Sequence, residues 1–341
     1  MINIDNLIDT VRNTVKSHKL EKEGEYARYL WQNQENDRKM GLNEYGCADA
    51  VNILYTINDF PKDAEIRKCH ISVLQSMQNP GTGLFVEETH HFIHTTAHCI
   101  AALELFDALP KYKLTALEKY KTTDGLYNLL NGLDWKNTPW PQSHQGAGIY
   151  AALKLCGEVD EEWEKAYFDW MWQNSDPETG FWKKGTIENS DTKLYEYMGA
   201  AFHYLFNHEY AKMPLRYPKK MIDTCLYLYE NNLIGNKTGP YDNDKFGKYI
   251  GFLEIDWVYC ITRSLRQCSH RREECIHALR KFAKEYIDWL FTIDHKKHDW
   301  FNDLHMLFGM TCALAELQTA LPGEIITKKP LRLVLDRRPF I

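Results

Sequence analysis

The chain gathers imidazoles and carboxylates at the openings of short, small-residue apolar segments. His90 to Leu105 reads HHFIHTTAHCIAALEL, and His144 to Leu155 reads HQGAGIYAALKL, so that His94 corresponds to His144 fifty residues on. Imidazoles exchange protons near neutral pH, and carboxylates in a cleft act as acid, base or nucleophile. Four side chains are therefore candidates for the chemical step: His94, His144, Asp256 and Asp303. Two carboxylates about 5 to 9.5 Å apart are what glycoside hydrolysis needs, and Asp256 and Asp303 open neighbouring copies of the pattern. An elimination would instead use His144 or Tyr197 as base. Candidate substrate contacts are Tyr45, Asp49, His98, Trp140, Trp182, Glu196, Tyr197, Trp300 and His305. Aromatic faces stack on sugar rings, while acids and imidazoles bond hydroxyls.

Each of these residues also has a plainer use. Glu196, Glu254 and Ser143 stand at helix starts, where an acid or hydroxyl satisfies free backbone N–H groups. His94 and His98 are four apart on one helical face, a spacing that can chelate a metal, and Asp49 matches His98 in the first copy of the pattern. Paired helical histidines without a third-ligand motif usually bond their neighbours, so neither a metal nor a cofactor is expected.

The elements that must position these groups follow from a repeat. Aligning on the two clear copies recovers four more, anchored at Tyr45, His94, His144, Tyr197, Ile255 and His305, with spacings of 49, 50, 53, 58 and 50 residues. Self-similarity at a fixed period of this length signals stacked helical hairpins. Small residues such as Gly46, Ala97, Gly146, Gly199 and Gly309 crowd the first turns after the anchors and allow helices to approach closely. Ahead of most anchors lies a second, amphipathic helix pattern, for example Ala64 to Met77, Leu114 to Leu130 and Glu161 to Trp172. The expected fold is all-α: an (α/α)6 toroid of six outer and six inner helices over residues 1–323. Residues 324–341, containing LRLVLDRRPFI, are expected to run extended against its outside. An open right-handed solenoid of helix pairs is the competing arrangement. In a toroid the inner helices run in one direction, so the anchors share one mouth and His94, His144 and His305 form a polar ring at one depth.

Composition narrows the partners. At 44 % hydrophobic and 26 % charged, the chain has ample core-forming material. A net charge of −6 with no basic block disfavours nucleic acid. No apolar run reaches the roughly 20 residues needed to span a bilayer, and the charged N-terminus does not read as a signal peptide. A cytoplasmic protein acting on a small molecule or oligosaccharide is expected, with no membrane partner. Nine cysteines without a CxxC pair argue against both a disulfide framework and a structural zinc site. Nothing in the sequence selects an oligomeric state.

The turns Gln78-Asn-Pro-Gly-Thr-Gly83-Leu-Phe85 and Phe168-Asp-Trp-Met-Trp-Gln173, continuing to Gly180-Phe-Trp182, resemble the degenerate Gln-Trp repeats of the terpenoid cyclase and protein prenyltransferase superfamily. That resemblance implies an α/α toroid and isoprenoid chemistry. Its acid motif, DxDD, has no counterpart; the nearest stretch, Asp242-Asn243-Asp244, lacks the trailing acids. Of the zinc ligands of the prenyltransferases, His305 matches the histidine, but Ile255 stands at the anchor one copy earlier and no cysteine is there. The aromatic, histidine and carboxylate make-up of the loops is similar to that of the six-hairpin glycosidases, lyases and sugar epimerases, which share the toroid. The favoured expectation is a carbohydrate-active enzyme of the hydrolase, lyase or epimerase type. An isoprenoid enzyme and a non-catalytic glycan- or peptide-binding module are the alternatives.

Overall fold

A computed structural model describes residues 1–32, 37–234 and 251–341. The Asp242-Asn243-Asp244 motif lies outside the described residues. Among them, twelve helices are ten residues or longer: α1 (Asp5–His18), α2 (Glu44–Thr56), α3 (Ala64–Ser76), α4 (Phe92–Glu104), α5 (Thr123–Gly132), α6 (Pro139–Leu155), α7 (Glu161–Asn174), α8 (Leu194–Ala211), α9 (Pro218–Glu230), α10 (Phe252–Gln267), α11 (Arg272–Thr292) and α12 (Leu304–Ala320). The fold is all-α, with one short parallel pairing of Ile2–Asn3 and Ile325–Ile326.

The helices fall into two sets for reasons visible in their residues. Most residues of the even-numbered helices are buried, and those of α4 are apolar almost all round; every residue of α4 from Ile93 to Leu103 is buried. The odd-numbered helices carry one apolar stripe, such as Leu7, Ile8, Val11 and Val15 in α1. Helix α2 packs on α4, α4 on α6, α6 on α8, α8 on α10, α10 on α12, and α12 back on α2. The odd set flanks this cycle: α1 touches α2 and α12, α3 touches α2 and α4, α9 touches α8 and α10, and α11 touches α10 and α12. The amphipathic stretch from Leu114 to Leu130 is not one helix. Thr115–Tyr120 winds tightly, and α5 begins afresh at Thr123 with the Thr122 hydroxyl accepting from the Gly125 amide.

Local chemistry fixes the helix starts. Asn43 accepts from the Tyr45 and Gly46 amides at α2, and Asp303 accepts from the His305 amide at α12. Glu254 caps α10 by accepting from the Gly251 amide at 2.6 Å. The Gln-Trp-like turns are structural clamps. Gln78 donates to the carbonyls of Gly83 and Tyr112, and the Trp182 indole donates to the Met171 carbonyl.

The tail departs from expectation. Residues Val334–Arg337 form a short helical turn against α2 and α8, both members of the central cycle, and Arg338, Phe340 and Ile341 are fully buried. Phe340 packs edge-on against His94 and contacts Phe206. The segment therefore does not lie on the outside. Its apolar residues find their burial against α2 and α8 and in contact with His94 and Phe206.

Candidate functional site

The site begins with one face of α4. His90 just precedes the helix, and His94 and His98 follow at four-residue intervals, so the three rings form a column. Tyr45 from α2 binds that column together: its ring stacks on His90 and His98 at centroid distances of 4.6 and 4.9 Å, and its hydroxyl meets His94 Nδ1 at 2.5 Å. Arg28 covers the Tyr45 ring at 4.9 Å and grips Asp303 with two hydrogen bonds of 2.9 and 3.1 Å.

Two histidine groups grow from the column, and they differ. In the first, His94, His144 from α6 and His203 from α8 offer ring nitrogens that all lie within 4.8 Å of one another. The His203 Nδ1–H donates to the Gly199 carbonyl at 3.0 Å. Burial pushes His94 and His144 well below the ordinary histidine range, with neighbouring imidazoles adding to the effect, and pushes His203 down to about 3. These rings are neutral at physiological pH.

In the second group Asp49 sits between two imidazoles. His98 Nε2–H donates to one carboxylate oxygen at 2.8 Å and His305 Nδ1–H to the other at 3.0 Å. Burial alone would raise the Asp49 carboxyl, but the charges and hydrogen bonds of His305 and His98 outweigh it and hold the group well below the usual range. Because a carboxylate only accepts, Nδ1 of His305 carries a proton, and in the neutral ring Nε2 is the lone-pair nitrogen.

Both groups meet at a cavity of about 290 Å³ inside the central helices. Its wall is largely Trp140, Pro141, Phe202, Phe252, Met306 and Ile341; its polar groups are Arg28, His90, His94, His144, His203, His305 and Asp256. Gly199 makes room for one wall, since a Cβ there would stand 2.8 Å from the Trp140 indole, and Gly309 does the same for Phe252 at 2.9 Å. Asp256 is fully buried, and neither carboxyl oxygen has a hydrogen-bond partner among the described residues. Burial, reinforced by Glu254, pushes its carboxyl well above the usual range, so it is a neutral acid.

The structure thus brings together His94, His144, Asp256, Trp140 and His305, with Tyr45, Asp49 and His98 behind them. It separates the rest. Asp303 does not line the cavity; it is committed to Arg28 and to capping α12, and it borders a neighbouring hollow with Tyr29, Arg38, Asp299 and Trp300. Trp182 and Trp300 are buried in aromatic packing, the former against Tyr204 and His208 and the latter against Trp289. Tyr197 donates to the Lys136 carbonyl, and Glu196 stands half-buried in the first turn of α8. His94, His98 and Asp49 do not form one trio, because His94 belongs to the first group and the other two to the second. His94, His144 and His305 all line the one cavity, with ring centroids 4.4 Å apart for His94 and His144 and 6.4 Å apart for His94 and His305.

No known protein family, curated protein or solved structure matches the chain. The site must therefore be read from its own chemistry.

His203, Arg28 and Phe252 were not apparent from the repeat. His203 lies six residues past the Tyr197 anchor, where the other copies carry Val51, Ile100, Tyr150, Ile261 and Thr311 and no histidine. The usable signal was Gly199, whose carbonyl accepts the His203 proton four residues on along the helix.

Proposed function

We propose that the cycle of six packed helices is an (α/α)6 toroid and that the chain is a carbohydrate-active enzyme of the epimerase or lyase kind. The observation that carries this reading is the meeting of two groups in one cavity. Asp256 is a neutral carboxylic acid with unpartnered oxygens, and His305 is an imidazole whose Nδ1 is fixed by Asp49. That pair is suited to proton transfer at carbon. His305 Nε2 removes a proton next to a carbonyl, the Asp49 carboxylate stabilises the imidazolium that forms, and Asp256 gives its proton to the carbonyl oxygen as negative charge develops there. The epimer forms when the enol returns its O–H proton to Asp256 while the carbon takes a proton from water on the face opposite His305; elimination results when the enol returns that proton and a neighbouring leaving group departs with the proton held by His305.

Hydrolysis by paired carboxylates is disfavoured because Asp303 is held by Arg28. The cavity lies at the low end of the roughly 300–1,000 Å³ typical of ligand pockets, which suits one sugar unit rather than an oligosaccharide. Trp140 and the two phenylalanines offer faces for the ring, and Arg28 and His90 offer donors for hydroxyls. Nine unpaired thiols support a reducing, cytoplasmic setting. No helix among the described residues is long and apolar enough to cross a membrane.

The apolar share of the cavity wall favours one other reading, an isoprenoid cyclisation in which Asp256 supplies the proton. The two are told apart by incubating the protein in D2O with a panel of keto- and aldo-sugars and uronic acids, and separately with prenyl diphosphates, and following the products by NMR. Deuterium appearing at a sugar carbon is expected. Asp256→Asn should slow it by about 10²- to 10⁴-fold, the usual contribution of a general acid. Turnover of a prenyl substrate alone would transfer the site to the second reading, and binding without any turnover would make the protein a binding module.

A further inference from the structure

The three imidazoles of the first group have a use that acid–base catalysis does not require. We propose that His94, His144 and His203 bind one divalent transition-metal ion of the zinc class, with a coordination position open to the cavity.

The donor set is the first argument. Three neutral imidazoles and no carboxylate or thiolate suit zinc and its neighbours rather than magnesium or calcium. Three histidines with a vacant fourth position are a recurring form of catalytic zinc site. The geometry is the second. A zinc–nitrogen bond is about 2.0–2.1 Å, so three nitrogens around one tetrahedral ion stand roughly 3.3 Å apart. Ligand nitrogens within 4.8 Å of one another reach that spacing by small ring rotations.

The outer partners are the third argument. A metal-binding histidine usually donates its other ring N–H to an oxygen, which fixes tautomer and orientation. His203 does so through Nδ1 to the Gly199 carbonyl at 3.0 Å, and His94 Nδ1 lies 2.5 Å from the Tyr45 hydroxyl. Nε2 is left as the free nitrogen of His203, and of His94 in the tautomer whose Nδ1–H donates to the Tyr45 oxygen. All three histidines line the cavity, so the remaining position faces whatever occupies it. The contrast with the second group supports the assignment: there each imidazole is already bonded to Asp49.

This site shares the cavity with the proposed acid–base pair but does not depend on that reading, and its test measures ion binding rather than turnover. The full chain is stripped with a chelator, and Zn2+ is titrated by calorimetry at pH 7.5, with Co2+ as a spectroscopic substitute. One equivalent of Zn2+ should bind, Co2+ should give visible bands of tetrahedral intensity, and Zn2+ should raise the melting temperature. His144→Ala removes a ligand that is partly exposed and has no hydrogen bond among the described residues, so the chain should still fold. It should weaken Zn2+ by more than the about 10–100-fold that losing an outer partner costs, and should abolish the melting shift. Two results overturn the proposal: wild-type protein that takes up no stoichiometric Zn2+, or a folded His144→Ala protein that binds it unchanged. Loss of binding in His98→Asn with retention in His144→Ala also overturns it, by moving the ion to the Asp49 group.

Discussion

The two histidine groups share one column of rings on α4, yet they satisfy their burial in opposite ways. Around Asp49, two imidazoles and a carboxylate complete one another, and each of the two hydrogen bonds to the carboxylate carries the help of its charge. Around His144, three imidazoles face each other with no anion, and their partners are a backbone carbonyl, a phenol and the Ser143 hydroxyl. In the first arrangement both carboxylate oxygens are bonded, and of its buried polar atoms only His98 Nδ1 is left without a hydrogen-bond partner among the described residues. The second is stable only with its rings neutral, and it leaves free nitrogen lone pairs in a cavity. A buried group that is fully bonded serves structure and orientation, whereas one left with spare capacity points to something that binds.

The largest effect that sharpens this contrast is on stability. Asp49→Ala leaves two buried imidazoles without their anion and should cost about 3–5 kcal/mol, as breaking a buried pair does. Urea unfolding measures it, and a loss below 1 kcal/mol would erase the distinction. Next comes acid. His98, His208 and His70 are each pushed down to about 4, chiefly by burial, so the folded chain resists protons that the unfolded chain binds below about 6.5. Stability should be fully present above pH 6.5 and fall steadily as the pH drops toward 4. A urea midpoint that stays level across that window would contradict the neutral assignment.

A smaller effect belongs to the cavity wall. Gly199→Ala places a methyl against Trp140 and should cost about 1–3 kcal/mol through overpacking. Trp140 fluorescence and ligand affinity should shift together; an unchanged affinity would remove Trp140 from the binding surface. The smallest effect is that of His144→Ala in metal-free protein, which should cost about 1 kcal/mol, the loss of ring contacts with His94 and His203 without a broken hydrogen bond. A large loss there would show that the first group is bonded as firmly as the second.

The helical nature of the chain and the membership of most candidates were legible because packing repeats every fifty residues or so and leaves small residues in register. The anchors at Tyr45, His94, His144 and His305 all fall within or against the site. Depth was not legible. On α8 it is His203, past the Tyr197 anchor, that meets His94, while Tyr197 turns away to donate to the Lys136 carbonyl. Asp303 misled because the sequence does not show that Arg28 reaches it across the chain. Trp182 and Trp300 misled because a tryptophan after a turn looks the same whether it faces a mouth or a core. The tail reads as an extended surface segment until Phe340 is matched to the contacts it makes with His94 and Phe206.

The bond from Asp49 to His305 joins residues 256 apart, and the clasp of Arg28 on Asp303 joins residues 275 apart. Contacts of such long range carry the greatest loop-closure cost and form late in folding. The orientation of His305 and the seam between α2 and α12 are therefore made in the same event. A chain whose last helix has not docked has no oriented His305 and lacks one wall of the cavity, so the candidate site exists only in the fully assembled molecule.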